Sequence, residues 1–331
     1  MNKSDSERIR SLLERVGFRW AERECDADFI LLNTCSVRQK AEDRVYGMMR
    51  KFAEYKKEKP HLLLAVTGCM PGRDKDGALR KRLPMVDFFF PIDDAPQLPK
   101  WIAERHPAVK EIPDIDEDYL SLRPEYTSRF QAFVPIQTGC NQFCTYCVVP
   151  QSRGMERYRP VAEVLEEIRD LDAHGYKEVT ILGQTVNSYR PKDPEHFSKT
   201  NPYKDAFAAL LWEINQLEHI KRIHFTAPHP NFMTDEVIDA MALPNHVNYL
   251  HLPVQCGNDE ILKRMNRKYT AAEYLEKIKK VRERIPGVAL GTDIIVGFCG
   301  ETEAQFEETV KLYKEADFDI SYTAMYSERS G

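Results

Sequence analysis

Ile9, Leu12, Leu13 and Val16 recur at the i, i+3, i+4, i+7 spacing that lines one face of a helix, and Gly17 closes it. A short continuous apolar run, Phe29-Ile30-Leu31-Leu32, comes next, followed by a second helical pattern at Ala41, Val45, Met48 and Phe52. Further runs at 62–66 and 86–90 and a helix around Trp101 complete the series. Apolar runs that are continuous rather than alternating, set between helices, mark strands of a parallel sheet covered on both faces. Residues 1–105 are therefore expected to form an α/β domain of the Rossmann or flavodoxin-like class. From 106 to 128 the periodicity stops and the chain becomes acidic and proline-spaced (Pro113, Asp114, Asp116, Glu117, Asp118, Pro124), which predicts a linker.

Six strand-like runs follow, at 132–137, 178–182, 222–225, 247–252, 288–296 and 318–325, with helical stretches between them. Such strand-helix units, joined by right-handed crossovers, either close most of a barrel or form an open doubly wound sheet. The polar and sulfur-bearing residues at the ends of the runs favour the barrel, whose reactive groups gather at the C-terminal ends of its strands. Cys140 follows the first run, Gln184 the second, Thr226 and His229 the third, Gln255 the fourth, Gly297 the fifth and Tyr326-Ser327 the sixth. A length of 331 residues agrees with two domains at about 150 residues each.

Composition changes this picture little. The apolar share of 42% and charged share of 30% are ordinary for a globular protein. No apolar run approaches the roughly 20 residues of a membrane span, and Met1 to Arg10 lack the apolar core of a secretory signal, so a cytoplasmic protein without a membrane partner is expected. With a net charge of −5, contact with a polyanion must rest on a local patch. Arg153, Arg157 and Arg159 around Tyr158 are one candidate, and Lys263, Arg264, Arg267 and Lys268 before Tyr269 are another. Arginines for phosphates and tyrosines for splayed bases suit a single-stranded RNA loop better than a duplex. Solvated helix faces are the plain alternative.

The eight cysteines carry the sharpest signal. Without an export signal they argue for metal or catalytic thiols rather than disulfides. Cys140, Cys144 and Cys147 fall in one short loop between Gly139 and Pro150 and must converge on one centre. Structural zinc closes with four ligands, and no fourth Cys or His follows at suitable spacing. A cubane 4Fe-4S cluster fits three thiolates better, because it leaves one iron open for a substrate or cofactor. A zinc loop or an electron-transfer cluster remains the alternative.

The run Cys140-Asn141-Gln142-Phe143-Cys144-Thr145-Tyr146-Cys147 has the C-x3-C-x-aromatic-C form of the radical S-adenosylmethionine (SAM) enzymes. Val148-Val149-Pro150 with Arg153-Gly154, Leu182-Gly183-Gln184 with Asn187, Thr226 with His229-Pro230, and His251-Leu252-Pro253-Val254-Gln255 resemble the methylthiotransferases of that superfamily. Asn33-Thr34-Cys35-Ser36-Val37-Arg38 and Gly68-Cys69 resemble the N-terminal domain of the same family, with Ser36-Val37-Arg38 closest to its tRNA branch. The resemblance spans nearly the whole chain.

It implies a partial (β/α)6 barrel over 129–331 and radical methylthiolation of C2 of an N6-isopentenylated adenosine in the tRNA anticodon loop. It implies SAM and two 4Fe-4S clusters as cofactors, an electron donor such as flavodoxin or ferredoxin, a sulfur donor, and a monomer. Methylthiolation of a ribosomal-protein aspartate or of threonylcarbamoyladenosine, and a non-catalytic iron-sulfur or zinc RNA-binding protein, are the rival readings. By resemblance Cys140, Cys144 and Cys147 hold the SAM-binding cluster, Tyr146 lies against the adenine or the cluster edge, and Gly183, Gln184 and Gln255 meet SAM. A turn histidine is the better reading of His229. Cys35 and Cys69 would hold the second cluster with a third cysteine that the family carries upstream of the segment resembling Met1 to Ser6. The chain looks truncated at both ends, without its first strand, this third ligand or the C-terminal RNA-binding β-domain, so a labile second cluster and impaired sulfur insertion are expected. Cys25 resembles a surface turn residue. Cys256 and Cys299 read as small buried thiols at strand ends. No side chain is assigned as catalytic.

Overall fold

The computed structural model describes residues 1–36, 39–105 and 118–328. They form two compact units, Met1–Thr127 with Val148–Met155, and Ser128–Cys147 with the chain from Glu156 onward.

In the first unit the strands Phe29–Thr34, Leu63–Gly68 and Phe88–Phe89 form a parallel sheet in that order. Successive side chains of a strand point to opposite faces, and the central strand shows it. Leu64 and Val66 pack with Val45, Met49 and Phe52 of the helix Gln39–Glu58. Ala65 packs with Ile9 and Leu12 of the helix Asn2–Arg15 and with Leu98 and Ile102 of the helix Leu98–Arg105. Both faces are thus covered, as the continuous apolar runs required. The core also takes in Tyr119, Leu120 and Leu122, each nearly solvent-free. Residues 118–127, expected as the end of a linker, are therefore packed structure, because this short apolar cluster finds the sheet. Residues 106–117 of that expected linker lie outside the described residues. A further difference concerns the first helix, which buries Ser4, Asp5, Glu7 and Arg8 beside its apolar face.

In the second unit the strands Gln131–Pro135, Glu178–Leu182 and Arg222–Phe225 pair in parallel in chain order, as do Tyr249–His251, Ala289–Val296 and Ile320–Met325. A parallel bridge from Ile223 to His246 joins the two sets. Every strand neighbours the one before it, so the order never reverses as it does in a doubly wound sheet. This is the progression of a barrel. Helices Val161–Ala173, Ala206–Asn215, Asp235–Met241, Ala271–Arg284 and Glu303–Ala316 fill the crossovers. Two of them start on complete capping boxes, Thr270 with Glu273 and Thr302 with Gln305, which satisfy backbone N–H groups at the helix start. A short antiparallel pair, Gln137–Thr138 with Arg157–Tyr158, extends the end of the first strand. No helix among the described residues is long and apolar enough to cross a membrane.

Candidate functional site

Beyond Pro135 the first barrel strand runs through Gln137–Thr138 and turns at Gly139, whose φ of +77° lies in the left-handed region open to glycine. Cys140 is buried there, with its Sγ 3.2 Å from Thr185 Oγ1 and accepting the Gln142 N–H at 3.5 Å. Burial pushes its thiol pKa up, against the two hydrogen bonds. Cys144 and Cys147 are partly exposed, and the Cys147 N–H closes a turn onto Cys144 O at 2.9 Å.

The stretch after the helix Asp259–Arg264 clamps this loop. Asn266 Nδ2 donates to Gln142 O and Phe143 O, both at 3.0 Å. Thr145 N–H bonds to Met265 O at 3.2 Å and its hydroxyl to Arg264 O at 3.0 Å. Arg267 Nη1 donates to Cys144 Sγ at 3.6 Å.

Among the described residues, no three His, Cys, Asp or Glu side chains converge closely enough to hold one metal ion. The ligands of one zinc ion must meet at a single atom, whereas thiolates that hold separate corners of a cubane need not. Three thiols on one loop, with an N–H and a guanidinium donating to two of the sulfurs, form the donor set such a cluster needs.

The second strand ends next to this loop. Gln137 Oε1 accepts the N–H groups of Gln184 at 2.9 Å and Thr185 at 3.2 Å, while its Nε2 donates to Gly139 O at 3.1 Å. A Cβ on Gly183 would lie 2.5 Å from Gln137 Oε1, so only glycine allows this approach. Gln184 Oε1 is buried and has no hydrogen-bond partner among the described residues, which leaves an acceptor ready for a donor such as an ammonium group.

Gln255 is buried with φ +74°, an unusual conformation for a side-chain-bearing residue. Its backbone is held by Asp293 O and the Ile295 N–H, both at 2.9 Å. The phenol of Tyr146 is shifted well upward by burial, against the pull of Arg267. His229 is a turn histidine. Its Nδ1 accepts the Asn231 N–H at 3.2 Å, and burial followed by Arg267 and Lys268 lowers its pKa to about 2.

Two residues escaped sequence reasoning as structural ties. Asn187 grips the backbone of His229 through both amide atoms at 2.8 and 3.0 Å, and Gln137 joins the first two strand ends. Gln137 had a signal, a polar residue ending an apolar run. Cys256 is the buried thiol expected, against Thr309 Oγ1 at 3.3 Å, whereas Cys299 is exposed because it sits in the turn after the fifth strand. Cys25 is exposed, as its acidic neighbours predicted.

Among the basic residues Lys263 and Lys268 are exposed, whereas Arg153, Arg159 and Arg267 are buried, against the expectation. Arg159 is buried in an ion pair with Glu167 at 2.6 Å and donates to Pro135 O at 3.0 Å. Arg153, in the first unit, is buried against Asp5 at 2.5 Å. Their guanidinium groups do not present themselves to solvent, because each meets a carboxylate inside its own unit. Arg157 remains partly exposed, and Tyr158 packs edge-on against Tyr189. Arg264 is turned to Cys299 O, and Arg267 and Tyr269 are buried rather than free for RNA.

In the first unit Thr34 stands opposite Gly68 in parallel register, so Cys35 and Cys69 leave neighbouring strands at the same level. Gly68 has φ +92°, and a Cβ there would lie 2.5 Å from Thr34 O and Asn33 Oδ1. The segments Cys69–Arg73 and Val149–Arg153 approach so closely that a Cβ on Gly72 would be 2.0 Å from Ser152 O. Asn33 Oδ1, Ser36 Oγ, Thr67 Oγ1, Ser152 Oγ and Arg153 Nη1 are all buried without a partner among the described residues. Such a concentration of orphaned polar atoms suits a polar inorganic guest beside the two thiols. Val37 and Arg38 lie outside the described residues.

Residues 134–313 match the model of the Radical SAM superfamily, and residues 1–91 that of a family described as Uncharacterized protein family UPF0004. The whole chain is similar to the tRNA-2-methylthio-N(6)-dimethylallyladenosine synthase of Clostridium tetani, 42% identical over 337 residues and 73% of that protein. The enzymes of the same name from Finegoldia magna and Carboxydothermus hydrogenoformans are 39% and 42% identical, with 71% and 75% of their lengths covered. Among solved structures, the radical SAM methyltransferase TsrM of Kitasatospora setae has a TM-score of 0.67 at 14% identity, over 97% of this chain and 71% of that one. The cobalamin-dependent SAM radical enzyme OxsB has a TM-score of 0.56 at 15% identity, over 92% and 45%. These two likenesses establish the fold alone. The barrel with its three-cysteine loop is that of a radical SAM enzyme. Within this class the chain belongs to the family of the tRNA-2-methylthio-N(6)-dimethylallyladenosine synthases.

Proposed function

We propose that the protein adds a methylthio group to C2 of N6-dimethylallyladenosine in the anticodon loop of tRNA. The observation that carries this reading is the loop of Cys140, Cys144 and Cys147, hydrogen-bonded at two of its sulfurs and set beside the partnerless Gln184 Oε1. SAM and 4Fe-4S clusters, when bound, supply the one-electron chemistry needed at an aromatic C–H that side-chain acids and bases cannot activate.

The chain's own residues bind and orient. Cys140, Cys144 and Cys147 would hold one cluster, which would bind SAM and supply the electron for its cleavage. Gln184 Oε1 accepts from the SAM ammonium, Gly183 lets the backbone approach, and Gln255 and Tyr146 border the same cofactor. Cys35 and Cys69 would help to hold a second cluster, which would supply the sulfur. Arg157, partly exposed, is the arginine of its cluster proposed to contact RNA phosphate. An electron donor of the flavodoxin or ferredoxin kind and a separate sulfur donor complete the system.

Anaerobic reconstitution tests the reading. Under dithionite the protein should convert SAM to 5′-deoxyadenosine, and Cys144→Ala should abolish this. With dimethylallylated tRNA, nucleoside mass spectrometry then measures how far methylthio formation accompanies SAM cleavage. Zinc at the triplet in anoxically purified protein, or equal cleavage by Cys144→Ala, would overturn the assignment.

A further inference from the structure

Arg267 is 8% exposed and each of its three nitrogens has one fixed use. Nε donates to Tyr269 OH at 2.8 Å, Nη2 to Pro253 O at 3.0 Å, and Nη1 to Cys144 Sγ at 3.6 Å. Tyr269 is itself held by its hydroxyl on Val254 O at 2.7 Å. No carboxylate pairs with Arg267 among the described residues; the oxygen and sulfur groups around it are phenols, a carbonyl and a thiol. A buried guanidinium without a counter-ion is costly. The anion it lacks is supplied once Cys144 is a cluster-bound thiolate.

We propose that Arg267 is a positioning residue that raises the reduction potential of the cluster held by Cys140, Cys144 and Cys147. This rests on the cluster assignment above. One electron entering the cluster, from dithionite in the test below, adds negative charge that spreads onto the ligating sulfurs. A cation hydrogen-bonded to one of those sulfurs therefore stabilises the reduced state more than the oxidised state. The rigid fork of arginine fixes the donor on Cys144 while its other arms hold Pro253 and Tyr269, a geometry that lysine cannot reproduce.

The test is a redox titration of the reconstituted full chain, followed by electron paramagnetic resonance, in a Cys35→Ala/Cys69→Ala background so that one cluster is observed. Arg267→Gln should load iron and sulfide to the parent level yet be at least tenfold harder to reduce, a shift of about 59 mV to more negative potential for one electron. Arg267→Lys should shift the same way by less. If Arg267→Gln fails to take up iron, the Lys variant carries the comparison alone. A variant that loads fully and keeps the parent's potential would show Arg267 to be only a brace for the loop. A parent that takes up no cluster would instead defeat the cluster assignment.

Discussion

Arg153 Nη2 lies 2.5 Å from Asp5 Oδ2, with both side chains withdrawn from solvent in the first unit. Tyr119 OH donates to the other carboxylate oxygen, and its phenol is pushed far up by burial and by the Asp5 charge. The pair anchors the segment that follows Cys147 in sequence. Arg153→Met leaves Asp5 charged and buried and should cost about 3–5 kcal/mol in denaturant unfolding. Adding Asp5→Leu should recover part of that loss. A single variant as stable as the parent would show the pair to be dispensable.

Gly68 joins the strand Leu63–Gly68 to Cys69 at φ +92°. In Gly68→Ala the new methyl meets Thr34 O at a positive φ that alanine disfavours, so the variant should lose more than the roughly 1 kcal/mol that the same replacement gains at a compatible site. If Cys35 and Cys69 hold a cluster as proposed, the iron bound there should fall with it. Metal analysis of the variant in a Cys144→Ala background measures this directly.

His229 stays neutral in the folded protein because its pKa is lowered to about 2. The unfolded chain binds a proton at this residue below about pH 6.5 while the native state does not, so stability falls as pH drops through that value. At pH 5.5 the loss should be about 1.3 kcal/mol relative to pH 7. Urea titrations of parent and His229→Gln at both pH values should show this increment only in the parent, and an equal pH response in the two would refute it.

Thiol reactivity separates the cysteines outside the cluster loops. Cys25 and Cys299 are exposed, whereas Cys256 is fully buried with its pKa raised by that burial. Iodoacetamide should label Cys25 and Cys299 in the native protein within the time that leaves Cys256 untouched. Peptide mass spectrometry before and after urea reads the difference.

The apolar runs predicted the six barrel strands within a few residues, and the spacing of Cys140, Cys144 and Cys147 carried the resemblance to the radical SAM enzymes. Both signals are local, since a strand's covering shows in its own residues and three thiols seven residues apart at most are tethered to one centre. The residues at the ends of the runs also favoured the barrel over a doubly wound sheet, but the fate of the arginines was decided by tertiary structure. Arg153 finds Asp5 across 148 positions of sequence, and Arg267 finds Cys144 across 123. A charge cluster reads the same along the chain whether it faces water or a buried partner. Only folding brings up the distant carboxylate or thiol that draws a guanidinium inward.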